Sequence, residues 1–305
     1  MADLSFAHDA GMQDGKGDNE YMGFTHKYMF AVGVIAALRP LCQLLPLLPE
    51  AADVKDFRVR GEVLLANRQK LGTSRKDIFR HLLSPDPITS KILNQKDLNS
   101  NANLIVVAGS DTTISTTTQI LRILAKEKRV LKKLQDEIDG FVSEGKELTV
   151  QTTTNLSYLN AVVNEGLRLC NPLPTGVYAG TYPQGVEIAG SFIPGNVQVM
   201  VPHLALMTDE RYFPKGWEFI PERWTGEWSE GVRERRAFIP FGYGVHSCVG
   251  KQLALNEMRL TIAMVVREFD VMLGESYDEE RWEAEWKDHA VLQIGKLWVH
   301  FVKRR

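Results

Sequence analysis

The chemistry of this sequence concentrates first in one ten-residue stretch, Phe241-Gly242-Tyr243-Gly244-Val245-His246-Ser247-Cys248-Val249-Gly250. A thiol, an imidazole and three glycines stand together there, just ahead of an apolar-periodic run. That run (Leu253, Leu255, Met258, Ile262, Val265, Val266 and Phe269) predicts a long helix from about Val249 to Phe269. Cys248 is therefore expected at a helix start, where unpaired N–H groups and the helix dipole favour an anion, here a thiolate. Gly242 and Gly244 permit turns closed to other residues and let the loop lie close under a flat ligand. Gly250 removes a side chain that would push such a ligand away.

A thiolate on a loop of this kind suits axial ligation of a haem iron, where thiolate donation favours cleavage of the O–O bond. The plainer alternative for a lone cysteine is a buried, inert thiol, and that reading is preferred for Cys42 and Cys170. A nucleophilic pair of Cys248 with His246 is disfavoured. Two residues apart at a helix start, the side chains would rarely face each other, and no third group orients them.

Two further clusters lie upstream. Ala108-Gly109-Ser110-Asp111-Thr112-Thr113 interrupts an otherwise apolar helix. Glycine costs about 1 kcal/mol relative to alanine inside a helix, and Ser, Asp and Thr are also poor formers. Such local violations tend to mark function. Thr112 can bond back to the Ala108 carbonyl and loosen the helix. Small Ala108 and Gly109 leave room for dioxygen, to which Asp111 and Thr112 could deliver protons. The plainer alternative is a kinked helix with a satisfied threonine. In Glu165-Gly166-Leu167-Arg168, the carboxylate and guanidinium three residues apart share a helix face; on a surface the pair would contribute only ~0.3–0.5 kcal/mol.

These residues need positioning elements, and helical patterning supplies most of them. A helix from Asp77 to Leu83 is stopped by Ser84-Pro85-Asp86-Pro87. The helix from about Asn99 to Lys126 is apolar on nearly all sides around Leu104 to Val107, so it should be buried. A basic helix (Arg122 to Asp139) and one from about Leu156 to Leu169 follow. Short alternating runs from Asn171 to Pro202 predict a small sheet, and a Pro/Gly/Trp-rich meander continues to Pro240. The sum is a mainly α fold with a small β part. Trp282 and Trp286 are expected to cover a core edge.

Composition sets outer limits. With 305 residues, 44% hydrophobic and 24% charged, the chain can bury a real core. A net charge of −2 argues against nucleic acid as the main partner. Three scattered cysteines make no disulfide framework and point to a reducing compartment. The polar, acidic first residues do not form a signal peptide. In the most apolar segment, Tyr28 to Pro49, the uncharged part has eleven residues before Arg39-Pro40. Spanning a bilayer takes about 20, so the segment reads as a non-spanning helix able to touch a membrane surface.

Taken in order, these motifs resemble those of the cytochrome P-450 family. Residues 241–250 are similar to its haem-binding signature, which implies Cys248 as the iron ligand and Phe241, Gly242, Gly244, His246 and Gly250 at the cofactor. Ala108 to Thr113 resembles the oxygen-activation motif. Glu165-Gly166-Leu167-Arg168 looks like the Glu-x-x-Arg helix, and Phe219-Ile220-Pro221-Glu222-Arg223-Trp224 like the Pro-Glu-Arg segment. The resemblance implies a buried Glu165–Arg168–Arg223 triad that fixes the cysteine loop, where loss of one partner would cost roughly 3–5 kcal/mol.

It further implies one cytochrome P-450 domain over residues 1–305, the larger C-terminal portion of the fold, truncated at the N-terminus and of fungal microsomal type. The implied activity is a haem-dependent monooxygenase of secondary metabolism. It would take O₂ and electrons from NADPH through a reductase, and oxidise a small lipophilic metabolite. The implied place is the cytoplasmic side of the endoplasmic reticulum membrane, or the cytosol, since this sequence shows no anchor. The basic residues Arg122, Lys126, Lys128, Arg129, Lys132 and Lys133 read as a solvated helix face, which with Arg233, Arg235 and Arg236 could dock an acidic reductase.

Two departures stand out. His246 occupies a position where the family usually carries arginine, and histidine is not a permanent cation. Ala179 stands where similar proteins often place an arginine for a haem propionate. Each charge-assisted hydrogen bond is worth ~1.5–3 kcal/mol, so weak haem binding by the chain alone is expected. The alternative reading is a truncated, non-catalytic fragment that binds haem weakly or not at all.

Overall fold

A computed structural model describes residues 1–9, 11, 23, 25, 27–33 and 52–304. Two compact units divide the chain, Met1–Asp111 and Thr112–Arg305. The boundary falls inside one long helix.

The first unit holds α1 (Ala2–Phe6), α2 (Ala52–Gln69), α3 (Ile78–Leu83) and the opening turns of α4 (Gln95–Lys126). Its core is Phe6, Leu65, Phe79, Leu98, Ala102 and Val106. Helix α3 starts where Asp77 accepts from the Arg80 amide at 2.9 Å and ends before the prolines, as the sequence predicts. Asp77 also takes a two-point bond from buried Arg68, at 2.6 and 2.7 Å. Burial opposes ionisation of that carboxyl, but the Arg68 and Arg80 hydrogen bonds prevail and hold it below its ordinary range.

The expectation that α4 is buried all round near Leu104 needs correction. Leu98, Ala102 and Val106, four residues apart, form the stripe that enters the core. Leu104 lies about 200° round the helix from Ala102 and is 62% exposed. The helix also begins four residues earlier than the pattern suggests. Residues 28–33 of the apolar segment are helical; the rest of Tyr28 to Pro49, with Cys42, lies outside the described residues. Among the described residues no helix is long and apolar enough to cross a membrane.

The second unit is built on four helices. The end of α4, α5 (Lys128–Ser143), α6 (Ser157–Leu169) and α8 (Lys251–Glu268) share a core that includes Ile120, Leu134, Leu159, Val163, Met258 and Ile262. Gly166 lets α6 approach α4 closely, since an added Cβ would come within 2.3 Å of the Ile120 side chain. The predicted basic helix from Arg122 is corrected too. Glu127 leaves helical geometry (φ −89°, ψ 75°), so Arg122 belongs to α4. It is buried, bonded to Glu279 at 2.8 Å and stacked 4.8 Å from the Trp282 ring. Trp282 covers a core edge, against Trp286 at 5.1 Å.

Among the described residues the β part is four antiparallel strand pairs. β1 (Ala179–Gly180) pairs with β4 (Gln198–Val199), and β2 (Val186–Ile188) with β3 (Ser191–Ile193), inside the predicted sheet region. β5 (Phe269–Leu273) pairs with β8 (Val299–Lys303), and β6 (Lys287–His289) with β7 (Val291–Gln293). Two short helices complete the unit, α7 (His203–Thr208) and α9 (Glu279–Ala284).

Helix α6, which carries Glu165 and Arg168, has Leu156 at its cap position and so no local side-chain acceptor. Glu137 of α5 substitutes from a distance, accepting the Tyr158 and Leu159 amides at 2.7 and 2.9 Å. Orphan helix amides are thereby satisfied across a helix–helix contact. Glu137→Ala should lower unfolding free energy by roughly 1–2 kcal/mol, the usual cost of a lost cap. Denaturant titration checks this against Glu144→Ala, an exposed change at the far end of the same helix that should have little effect.

Candidate functional site

Glu165 and Arg168 are fully buried, and the Glu165 carboxylate is the hub of everything around it. Its Oε1 accepts from Arg168 Nη2 (2.8 Å), Arg223 Nε (3.0 Å) and the Ile220 amide (2.9 Å). Its Oε2 accepts from Arg168 Nε and Trp224 Nε1, each at 2.9 Å. Two guanidinium groups around one carboxylate leave a positive charge to be solvated, and backbone carbonyls do this. Arg168 donates to Met207 O, Gly216 O and Glu218 O at 2.8, 2.5 and 3.0 Å. Arg223 donates to Pro214 O, to Gly231 O at 3.0 Å and to Lys215 O at 2.7 Å. Aromatic faces cover both, Phe213 at 5.4 Å from Arg168 and Trp228 at 4.7 Å from Arg223. The meander is therefore pinned at six carbonyls by two side chains.

The Pro221–Arg223 turn has a second grip on its outer side. Glu222 accepts from Arg129 Nη1 at 2.6 Å, Tyr158 Oη at 3.1 Å and Lys133 Nζ at 3.4 Å. Burial opposes ionisation of Glu222, yet the Arg129 hydrogen bond and charge, with the Tyr158 hydroxyl, outweigh it and pull its carboxyl down to about 2. Lys133 also bonds Glu227 at 2.8 Å, and Lys132 pairs with Asp136. The expected solvated basic face is thus largely neutralised, and Arg122 is not on it. In the sequence Glu222 and Trp224 read only as members of the Pro-Glu-Arg segment, with no role of their own. The one available signal was a ring with an N–H at position 224, next to an arginine expected to be buried.

The loop that bears Cys248 follows directly. Phe241 is half-buried against the unit's core, and its carbonyl accepts the Cys248 amide at 2.8 Å. Gly242 and Gly244 hold φ at 70° and 79°, the left-handed region that favours glycine. Gly244–His246 forms a 3-10 turn, closed by Ser247 N donating to Gly244 O at 3.1 Å. Helix α8 opens at Lys251 with Gly250 as its cap, two residues later than the expected start near Val249, so Cys248 lies in the turn that leads into the helix. His246 and Cys248 are both exposed. Around the thiol stand Tyr243, Val245 and Val249, exposed by 85%, 95% and 104%. A Cβ at Gly250 would lie 3.7 Å from the sulfur.

The chemistry of this set fits a planar, apolar, metal-centred ligand such as haem, because it offers one accessible sulfur on a glycine-bearing loop with an apolar rim. Cys170 is the opposite case. Burial pushes its thiol up to about 12, against the pull of Arg122 and Arg168, so it stays protonated and inert.

The third cluster is on α4, with Ala108 to Asp111 in the first unit and Thr112 and Thr113 in the second. Ala108 is exposed, and Gly109 and Thr112 are half-buried. Asp111 and Thr113 are buried at 9% and 7% exposure. The space a side chain would take at Gly109 is filled by Met1, whose Cε would lie 2.6 Å from an added Cβ. Just beyond, Ser115 donates to Leu292 O at 3.3 Å and Thr116 to Cys170 O at 3.1 Å. These hydroxyls tie α4 to β7 and to the end of α6. Ala179 is exposed in β1, paired with Val199.

Comparison with known proteins agrees with the motifs. The sequence model of the cytochrome P-450 family matches residues 1–297. A cytochrome P-450 monooxygenase of Fusarium pseudograminearum is 30% identical over 309 residues, covering 100% of this chain and 56% of that protein. A cytochrome P-450 monooxygenase of Aspergillus oryzae is 35% identical, covering 74% of this chain and 46% of its own length. Tryprostatin B 6-hydroxylase of Neosartorya fischeri is 34% identical, covering 78% and 43%. The chain spans about half the length of these curated relatives. The solved cytochrome P450DA heme domain superposes with a TM-score of 0.80 at 20% identity, covering 100% of this chain and 64% of that one.

Glu222 generates an acid-range prediction. Its folded carboxyl titrates below its ordinary 4.5, at about 2. The unfolded chain therefore binds the proton first as pH falls. The stabilisation is complete above about pH 4.5 and is lost on acidification towards 2. Screening at the exposed Arg129 limits it to about 1–2 kcal/mol. Glu222→Gln should be less stable than wild type at pH 7 and converge with it near pH 2–3, as read by urea titrations across pH.

Proposed function

This chain belongs to the cytochrome P-450 family, and on that premise we propose that it forms the ligand-bearing part of a haem-thiolate monooxygenase, with Cys248 as the residue that would hold the iron. The observation that carries the proposal is the setting of Cys248. Its exposed thiol lies on a glycine-bearing loop with an apolar rim, and the chain leading into that loop is pinned by a buried ionic network. When bound, haem supplies the activation of dioxygen, one oxygen atom going to the substrate and the other, with two electrons and two protons, to water.

The chain's own residues have separate tasks. Cys248 would donate its sulfur, and its amide is already committed to Phe241 O, which closes the loop through its backbone. Gly242, Gly244 and Gly250 keep the loop low. Asp111 and Thr112 would hold and pass protons for the activation of dioxygen, although Met1 fills the space that small Gly109 leaves open. Glu165, Arg168 and Arg223 hold the meander that leads into the loop. His246 and Ala179 stand where the family places arginines, so the haem carboxylates gain less charge pairing from this chain.

We read residues 1–305 as part of a single cytochrome P-450 domain. The substrate class is a small lipophilic metabolite of fungal secondary metabolism. Electrons come from NADPH through a reductase, at the cytoplasmic face of the endoplasmic reticulum or in the cytosol, with peripheral membrane contact through the apolar segment after Tyr28. The fungal monooxygenases to which the chain is similar support this reading.

Two experiments test it. The reduced, carbon monoxide-bound spectrum of the purified chain should be of thiolate type, be lost in Cys248→Ser, and persist in Cys42→Ser and Cys170→Ser. Persistence in Cys248→Ser would overturn the ligand assignment. In a preparation that turns over, Thr112→Ala should keep haem and substrate binding but release more hydrogen peroxide, lowering product per NADPH several-fold. Unchanged coupling would remove Thr112 from proton delivery.

A further inference from the structure

We propose that Trp224 is a positioning residue that couples the buried Glu165 network to the Cys248 loop, through its indole N–H on one side and its ring on the other. Its meaning for catalysis rests on the reading of Cys248 as the iron ligand; the coupling itself rests on geometry alone. The two oxygens of Glu165 are unequally supplied. Oε1 has three donors, while Oε2 has only Arg168 Nε and Trp224 Nε1. A phenylalanine at 224 would keep an aromatic ring in the slot and halve the donors at Oε2. An ionised carboxylate in a water-free site has no substitute for the missing N–H, so the carboxylate and both arginines must readjust.

The ring of Trp224 faces the other way along the chain. It lies 4.5 Å from the Phe238 ring and 6.4 Å from Phe213, which in turn faces the Arg168 guanidinium at 5.4 Å. Phe238 packs on both core clusters of the unit and stands three residues before Phe241. From Phe238 the loop is closed by two backbone bonds, Gly242 N to Ile239 O at 2.9 Å and Cys248 N to Phe241 O at 2.8 Å. A tilt of one indole therefore acts on the carboxylate at one edge and on the entry to the Cys248 turn at the other. Trp282 provides a control. It is buried, where Trp224 is half-buried, and it likewise donates an indole bond, but to the Gly295 carbonyl, outside this network.

The test is amide hydrogen exchange on the full chain, which needs no cofactor. Trp224→Phe should exchange about tenfold faster over residues 238–248, the change one charge-assisted hydrogen bond sets, whereas Trp282→Phe should leave that segment at the wild-type rate. Equal rates in Trp224→Phe and wild type would overturn the proposal, as would an equal acceleration by Trp282→Phe. Should Trp224→Phe fail to fold, Phe238→Leu breaks the ring contact while sparing Glu165, and the same acceleration over 241–248 is expected. A second arm reads the reduced carbon monoxide spectrum, where Trp224→Phe should lose thiolate-type signal that Trp282→Phe keeps. A wild-type chain without that signal would remove the ligand reading of Cys248, while the exchange rates would still judge the coupling.

Discussion

A single buried carboxylate constrains most of the larger unit. Glu165 has no access to water, so its charge persists only if protein donors surround it. Five donors do so, and they come from α6 itself, the Ile220 amide, Arg223 and Trp224. Each arginine recruited for that purpose brings donors of its own that must also be satisfied, and these reach into the meander between residues 207 and 231. A segment with almost no regular secondary structure is thereby ordered by side-chain-to-carbonyl bonds. It leads without a break into the loop of Cys248.

That arrangement makes sense only if α6 itself is fixed. Contacts from two neighbouring helices do this. Glu137 caps its first turn from α5, Ile120 of α4 presses into the space that Gly166 leaves, and Thr116 of α4 bonds the Cys170 carbonyl at its end. Tyr158 on the same helix reaches out to Glu222, so the Pro221–Arg223 turn is held from outside by α5 and α6 and from inside by Glu165. The basic residues of α5 then belong to this fastening as much as to any partner. Arg129 and Lys133 have carboxylates of their own.

Much of this was legible in the sequence, and what was not has a common cause. Glycine spacing, a cysteine ahead of a periodic helix and the Glu-x-x-Arg pair are local patterns, and local patterns survive in one dimension. The stop of α3 at Ser84 before Pro85 is equally local. Leu104 and Arg122 were misjudged because burial depends on which helical stripe meets a neighbour. Leu104 lies off the stripe that enters its core, whereas Arg122 is covered by Glu279 and the Trp282 ring, more than 150 residues away in sequence. The Glu137 cap, the Trp224 bond and the β5–β8 pairing link residues between 21 and 59 positions apart. No periodicity records such pairings. The polar run on α4 illustrates both sides, since Ser115 and Thr116 turn out to be cross-links between elements.

The two described cysteines show how position decides chemistry when residue type does not. Cys170 closes α6 two residues after Arg168, with Arg122 also near, and two cations would ordinarily favour a thiolate. Burial wins, because a desolvated thiolate costs more than those guanidinium groups return once Glu165 and Glu279 have taken their charge. Cys248 is exposed on its loop, and its amide is already bonded to the Phe241 carbonyl. The arginines of the ionic network give their hydrogen bonds to Glu165 and to meander carbonyls. The network therefore orders the chain that leads into the loop without spending its charge on the thiol.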